Sequence, residues 1–338
     1  MVLIVAHHGI VHGLGLKNIV DVTTSGRFEL IYFVANAFLI IAVNCFFWIS
    51  GYYEIKRRLS RVIELVVEAM IYVLLLNIVV RVTNNNRITS ILDVLKMLKS
   101  VLLFYQGYCF LSSYLIVFIF APYLNKMTDV LSSREKEEAL LVFFGVETIC
   151  GFVLKIPSLD NGYSVVQGIY MYLFGSLCRT DDIQERFKSN SKLLKVTFVI
   201  FGLLNGLLSY ILYIKGHGAA AWRMFSYNNP IVVFMAVVAC LSVIHCSKKL
   251  EIFDDLGRLS QYTLSIYLLT DYDPIRQFVF LPLCFLESIG VCWKLLFILL
   301  YATLLSLTCM GIDSIRKKIY DCLKTYLDVL RAQSVKHC

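Results

Sequence analysis

The chain has 338 residues, of which 58% are hydrophobic and only 17% are charged. Soluble domains contain roughly 25% charged residues, so this composition excludes a disordered chain and argues strongly against a soluble enzyme. The formal net charge is +8, from 32 Lys and Arg against 24 Asp and Glu; in a membrane protein its distribution along the chain matters more than its sum.

Apolar segments separated by polar residues predict an all-α membrane bundle, with a single domain over residues 1–338 and about ten transmembrane helices. Each crossing needs about 20 mostly apolar residues. The predicted spans are 1–14, 30–52, 62–82, 108–125, 139–156, 163–178, 193–214, 229–246, 262–282 and 291–312. The span 163–178 is short, so we expect neighbouring helices to shield it. The amphipathic segment 91–104 is too charged to span readily and is expected at the interface or as a re-entrant segment.

The positive charges predict the orientation of this bundle. When EIKRRLSR (54–61) is assigned to the cytoplasm, the alternating cytoplasmic segments, together with Lys195 just inside the seventh span, contain 21 of the 32 Lys and Arg residues. Positively charged loops remain cytoplasmic, so both termini are predicted inside. This bias accounts for the basic excess without a nucleic-acid partner.

The first predicted span contains three histidines, in MVLIVAHHGIVHG (1–13). It is short for a crossing, and we expect it to be the second part of a helix whose first part is missing. His8 and His12 are four residues apart and share a helix face, with His7 adjacent. A neutral imidazole can accept a proton from a hydroxyl nucleophile and later return it. The alternative role is helix–helix hydrogen bonding or anchoring at the interface.

Charged residues late in the ninth span form a second candidate site. Asp271, Asp273 and Arg276 surround Pro274, which is predicted to bend or end the helix. A carboxylate inside a membrane is costly and is therefore a functional candidate. It could orient an imidazole or bind sugar hydroxyls; the alternative is a local Asp–Arg pair at the outer interface.

The basic run after the second span is a third candidate, because guanidinium groups suit phosphates. Its members are Lys56, Arg57, Arg58 and Arg61. A phosphorylated cytosolic donor such as an acyl-coenzyme A could bind there, but the residues alone favour a simple topology signal. Glu64 is expected within reach of Arg61.

The sequence does not decide the role of two further carboxylates within the spans. Glu68 and Glu147 could be relay carboxylates or protonated packing groups. No nucleotide-binding loop, serine-hydrolase elbow or zinc-protease motif occurs. The 11 cysteines include no Cys-x-x-Cys pair, so neither a metal site nor a disulfide framework is expected.

Six segments resemble, in order, motifs of the integral-membrane acyltransferase 3 family, whose members O-acetylate bacterial surface polysaccharides. NCFFWISGYY (44–53) resembles its Phe-Phe-x-x-Ser-Gly-Tyr signature. The other five are IVAHHGIVHG (4–13), YCFLSSYLIVFIFAPYLN (108–125), NGYSVVQGIYMYLFGSLCR (161–179), YNNPIVVF (227–234) and TLSIYLLTDYDPIR (263–276). The resemblance therefore covers essentially the whole chain.

The resemblance implies an enzyme of the bacterial plasma membrane that uses acetyl-CoA as donor and no metal. The acceptor would be a capsular or exopolysaccharide, or a lipid-linked sugar precursor. The essential histidine of the family's first helix corresponds by register to His8, with His7 adjacent, and acts as general base or acyl relay. Asp271 would orient this base or bind substrate. The donor would contact Arg58 and Arg61 through its phosphates, beside a helix end shaped by Ser50, Gly51 and Tyr52. Gly51 would permit close backbone approach there.

The sequence departs from the family pattern at three places. Family members carry a basic residue about ten positions before the essential histidine, and that position would precede Met1 here. Cys109 stands where relatives usually have Trp, and Thr270 stands where close relatives have His. A truncated, inactive acyltransferase is therefore one alternative. A transporter or flippase for a polysaccharide intermediate is another; it predicts paired internal repeats, and none is evident in the sequence.

Overall fold

The computed structural model describes residues 1–20, 28–56, 59–83, 90–102, 108–247, 259–284 and 290–336. This part of the chain is 86% helical and contains no strand, which confirms the all-α prediction. The helices are α1 (Val2–His8), α2 (Leu30–Leu39), α3 (Ala42–Tyr52), α4 (Leu59–Thr83), α5 (Ile91–Leu102), α6 (Cys109–Val130), α7 (Ser133–Gly145), α8 (Val165–Leu177), α9 (Asp181–Ile214), α10 (Gly218–Arg223), α11 (Pro230–Ser247), α12 (Thr263–Thr270), α13 (Asp273–Cys284) and α14 (Val291–Lys336). A π-helical turn follows α1 (Gly9–Gly13), a longer π-helical segment follows α7 (Val146–Val153), and short 3-10 turns occur at Leu16–Val20, Asp160–Gly162 and Ser260–Tyr262.

Among the described residues, five helical segments are long and apolar enough to cross a membrane. They are Leu30–Tyr52, Ser60–Thr83, Phe110–Val130, Ile183–Ile214 and Trp293–Cys322. Shorter apolar helices at Val2–Gly13, Val165–Leu177 and Pro230–His245 also coincide with predicted spans. The protein therefore has the character of a polytopic membrane protein, while ten crossings and cytoplasmic termini stay predictions.

The amphipathic segment forms a separate helix, α5. All residues of α5 are described, and Val101 is the single buried one. Its leucines 92, 95, 98 and 102 are exposed. An exposed apolar face on a short helix with lysines suits the membrane interface.

Two glycines allow α3 and α8 to cross in backbone contact. A Cβ added at Gly51 would lie 1.8 Å from the carbonyl oxygen of Tyr172, and one at Gly175 would lie 1.9 Å from that of Trp48. Small residues permit such close approach between membrane helices. Most residues of α8 are buried, so the short span 163–178 is shielded by its neighbours as predicted.

The ninth predicted span is broken between α12 and α13. α12 ends at Thr270 and α13 begins at Asp273, so Pro274 lies in the first turn of the new helix, as its fixed φ favours. Arg276 Nη2 donates to the backbone carbonyl oxygen of Asp271 at 2.7 Å, which satisfies an acceptor at the end of α12. The break confirms the prediction for Pro274 and presents Asp271 at a helix end.

Tight packing against α13 positions the histidines. A Cβ at Gly13 would lie 2.8 Å from Cδ1 of Leu283, and one at Gly9 would lie 3.0 Å from the same atom. Both glycines belong to the π-helical turn after α1; such turns are frequent at functional sites. The packing brings the end of α1 beside the break that carries Asp271.

Candidate active site

The histidines and Asp271 line one cavity of about 320 Å³. Its walls come from α1 and its π-helical turn, α3, α6, α12 and α13, and its mouth comes from the 3-10 turn Leu16–Val20, α10 and loop residues. The lining residues are Ile4, His7, His8, Val11, His12, Lys17, Val43, Phe47, Phe110, Ser113, Gly162, Tyr163, Ser164, Trp222, Tyr227, Tyr267, Asp271 and Arg276.

His8 and Asp271 are the central pair of this cavity. His8 Nδ1 lies 3.7 Å from Asp271 Oδ1, and the two side chains are 12% and 16% exposed. His8 Nδ1 is buried and has no hydrogen-bond partner among the described residues. The distance is slightly longer than a hydrogen bond, as is common for catalytic contacts before substrate binds. Asp271 can therefore orient the His8 ring after a small movement.

The Asp271 carboxylate is itself fixed by two neighbours. Arg276 Nε lies 3.0 Å from Asp271 Oδ1, and the hydroxyl of Tyr267 hydrogen-bonds to the same side chain. Arg276 Nη1 also donates to Asp273 Oδ1 at 3.0 Å. The local Asp–Arg pair considered from the sequence therefore exists, and it lies in the cavity wall beside His8.

His7 and His12 flank His8 in different ways. His7 is 7% exposed, and its Nδ1 lies 2.6 Å from Oδ1 of Asn36 on α2. This contact holds α1 to α2, so the helix–helix role considered for the histidines applies to His7. The His12 ring lies 5.6 Å from the His8 ring. Of the three, His8 combines cavity exposure with a nearby carboxylate.

Comparison with known proteins identifies the family of this chain. A family model described as an acyltransferase domain matches residues 1–311. The chain belongs to the acyltransferase 3 family. No curated protein and no solved structure matches it. Membership of this family supports an acyl-transfer enzyme and confirms the resemblance seen in the sequence.

The predicted donor residues that the structure describes do not line the His8 cavity. Ser50 donates its hydroxyl to the carbonyl oxygen of Phe46 at 2.9 Å, and Tyr52 stacks on Trp48 with ring centroids 5.2 Å apart. Gly51 packs on α8, so the close approach expected at this glycine is made to a helix. None of these three described residues lines the cavity.

Of the arginines in the basic run, the structure describes Arg61. Arg61 Nη1 donates to Glu64 Oε2 at 3.0 Å, as expected, and does not line the cavity. Arg58 lies outside the described residues. The donor role of Arg58, Arg61, Ser50, Gly51 and Tyr52 stays a prediction. Phe47 connects the regions, because it lines the cavity one helical turn before Gly51.

A second buried polar network joins α4 to α14. Tyr72 donates its hydroxyl to Asp313 Oδ1 at 2.7 Å. Arg316 lies 2.5 Å from the same carboxylate oxygen and 3.4 Å from Glu68 Oε2. The network lies outside the cavity and ties the two helices together. Glu147 is also buried and does not line the cavity.

Thr270, one of the three departures from the family pattern, does not line the cavity. Its hydroxyl donates to the carbonyl oxygen of Ile266 at 2.7 Å, and the residue is fully buried. At the end of α12, the polar side chain that lines the cavity is therefore Asp271 and not Thr270. Sequence reasoning missed Asn36, although an amide inside the apolar run FVANAFL (33–39) is a recognisable signal.

Replacing Asp271 by asparagine is expected to lower kcat of acyl transfer by about 10²-fold, with little change in KM. Asparagine keeps the shape but removes the charge that orients His8 and would stabilise its protonated form. Asp273→Asn is the matched control, because Asp273 contacts the same arginine but is 82% exposed. Steady-state kinetics of both variants test this, and an Asp271→Asn rate within twofold of wild type would contradict it.

Proposed function

We propose that this chain transfers an acetyl group from acetyl-CoA to a hydroxyl of a bacterial surface polysaccharide. The acceptor is a capsular or exopolysaccharide or its lipid-linked precursor, and the reaction takes place in the plasma membrane. The observation that carries the proposal is the His8–Asp271 pair, at 3.7 Å, in a cavity with an aromatic mouth. Family membership supports acyl transfer, and the sequence motifs favour acetyl-CoA and a glycan.

His8 acts as the general base in this reaction. Its imidazole accepts the proton of the acceptor hydroxyl, and the hydroxyl oxygen attacks the thioester carbonyl carbon. The new C–O bond forms as the C–S bond breaks, and the protonated imidazole returns the proton to the leaving thiolate. The products are an acetylated sugar and free coenzyme A. The Asp271 carboxylate stabilises the imidazolium while it exists.

The mouth of the cavity suits a sugar. Tyr163 and Tyr227 meet edge to face with centroids 4.9 Å apart, and Trp222 and Ser164 lie beside them in the lining. Ligand sites commonly combine aromatic walls with a few polar groups that fix orientation. The apolar face of a sugar ring can pack on these rings while its hydroxyls reach polar groups.

The predicted topology separates donor from acceptor. The lining residues Lys17, Gly162 and Trp222 belong to the segments 15–29, 157–162 and 215–228, which the charge distribution assigns to the outer side. The end of α3 and the basic run are assigned to the cytoplasm. The acceptor would enter from outside, and acetyl-CoA would approach from inside along α3.

The proposal is tested by expressing the chain in a strain that lacks the gene and measuring O-acetyl groups on its surface polysaccharide by NMR. Acetyl ester signals that depend on the chain would support it. Loss of polymer export without the chain would instead indicate a transporter. Normal export with no acetylation, from a chain shown to be folded, would contradict the proposal and indicate an inactive family member.

A further inference from the structure

The mouth of the cavity joins a lysine and a tryptophan from two packed elements. Lys17 belongs to the 3-10 turn Leu16–Val20, and Trp222 belongs to α10. A Cβ added at Gly218, the first residue of α10, would lie 1.8 Å from the carbonyl oxygen of Ile19. This backbone contact packs the two elements against each other, and both Lys17 and Trp222 line the cavity.

Hydrogen bonds fix α10 in this position. Arg223 Nε and Nη2 donate to the carbonyl oxygens of Phe152 and Gly151 at 2.5 Å and 2.7 Å. Ser209 on α9 donates its hydroxyl to the carbonyl oxygen of Ala221 at 2.7 Å. The element that carries Trp222 is therefore held on both sides. A preformed wall of this kind binds ligand without a large ordering cost.

The charged residues that line the cavity differ in whether they have an ion-pair partner. In the described part of the chain, its charged lining residues are Lys17, Asp271 and Arg276. Arg276 is paired with both Asp271 and Asp273. Lys17 is exposed, and no carboxylate among the described residues pairs with it. Its ammonium therefore gives the mouth a positive potential that attracts anions.

We propose that the acceptor is an acidic glycan, with an anionic group bound by Lys17 and a sugar ring against Trp222 and Tyr163. The anionic group is a carboxylate or a phosphate, since an ammonium is a point charge that accepts either. The inference rests on the proposed function for the acetylated hydroxyl, which lies at His8 deeper in the cavity. Binding of the acid group itself does not require acyl transfer.

The test is glycan binding by the full chain in lipid nanodiscs without acetyl-CoA. One pair of probes is hyaluronan hexasaccharide and its carboxyl-reduced neutral form; the other is maltohexaose and its monophosphate. In at least one pair, the acidic member should bind about fivefold more tightly at low ionic strength, which corresponds to about 1 kcal/mol for a partly exposed charge contact. The pair that responds distinguishes carboxylate from phosphate.

Substitutions assign the preference to Lys17. Lys17→Met should reduce the preference to below about twofold, and Lys17→Arg should retain it, because the charge alone is required. Lys215→Met is the matched control, since Lys215 is exposed at the end of α9 and does not line the cavity. Equal binding of acidic and neutral glycans, no binding of any probe, or an unchanged preference in Lys17→Met would overturn the inference. A binding preference without acetyl transfer would instead overturn only the proposed function.

Discussion

Replacing His8 by alanine is expected to lower the rate of acetyl transfer by about 10²- to 10⁴-fold, the usual contribution of a positioned general base. His8 lines the cavity and is the histidine whose ring nitrogen lies 3.7 Å from the Asp271 carboxylate. The rate is measured as release of the coenzyme A thiol from acetyl-CoA in the presence of glycan, by the chain in nanodiscs. Thermal unfolding of each variant checks that it is folded.

His12→Ala is the matched control for this experiment. His12 lines the same cavity, and its ring is 5.6 Å from that of His8, but Asp271 has no ion pair with it among the described residues. We expect it to retain activity to within about tenfold of wild type, since it lacks an orienting carboxylate. Equal losses in the two variants, or a His8→Ala variant within threefold of wild type, would exclude His8 as the base.

Replacing Gly51 by alanine is expected to prevent accumulation of folded protein. The added Cβ would lie 1.8 Å from the carbonyl oxygen and 2.6 Å from the carbonyl carbon of Tyr172. Overpacking a core costs about 1–3 kcal/mol even when side chains can adjust, and here the obstacle is backbone. Yield of monodisperse protein and its thermal unfolding in detergent measure the effect.

Gly311→Ala in α14 is the control for this clash. No described atom lies within 4 Å of the Cβ added there, and alanine is favoured over glycine inside a helix by about 1 kcal/mol. The control should be as stable as wild type or more so. A Gly51→Ala protein that unfolds at the temperature of the control would contradict the packing role. If its KM for acetyl-CoA were also raised, Gly51 would be assigned to the donor site.

Local features of the fold were predictable from the sequence. The helices coincide with the apolar runs because a membrane segment must satisfy its own backbone hydrogen bonds. The break between α12 and α13 follows from Pro274, whose ring cannot continue a helix without loss of a hydrogen bond. The Arg61–Glu64 pair follows from their spacing of three residues on one helix.

The arrangement of the site was only partly predictable. His8 and Asp271 were both identified, but their proximity depends on how α1 and its π-helical turn pack on α12 and α13, which no local pattern encodes. The same holds for the contact of Asn36 with His7 and for the packing of α10 against the turn that carries Lys17. At Gly51, close backbone approach was predicted correctly, but its partner is α8, because reciprocal glycines such as Gly175 are recognised only once the crossing is known.

The most direct test of the central claim follows the acetyl carbon itself. Acetyl-CoA labelled with ¹³C at the carbonyl is supplied to the chain in nanodiscs with its native surface polysaccharide, and the glycan is then examined by NMR. The proposed function predicts a ¹³C ester carbonyl on the glycan with the wild-type chain and with His12→Ala, and none with His8→Ala. A folded wild-type chain that leaves the glycan unlabelled, or a His8→Ala chain that labels it equally, would contradict the account.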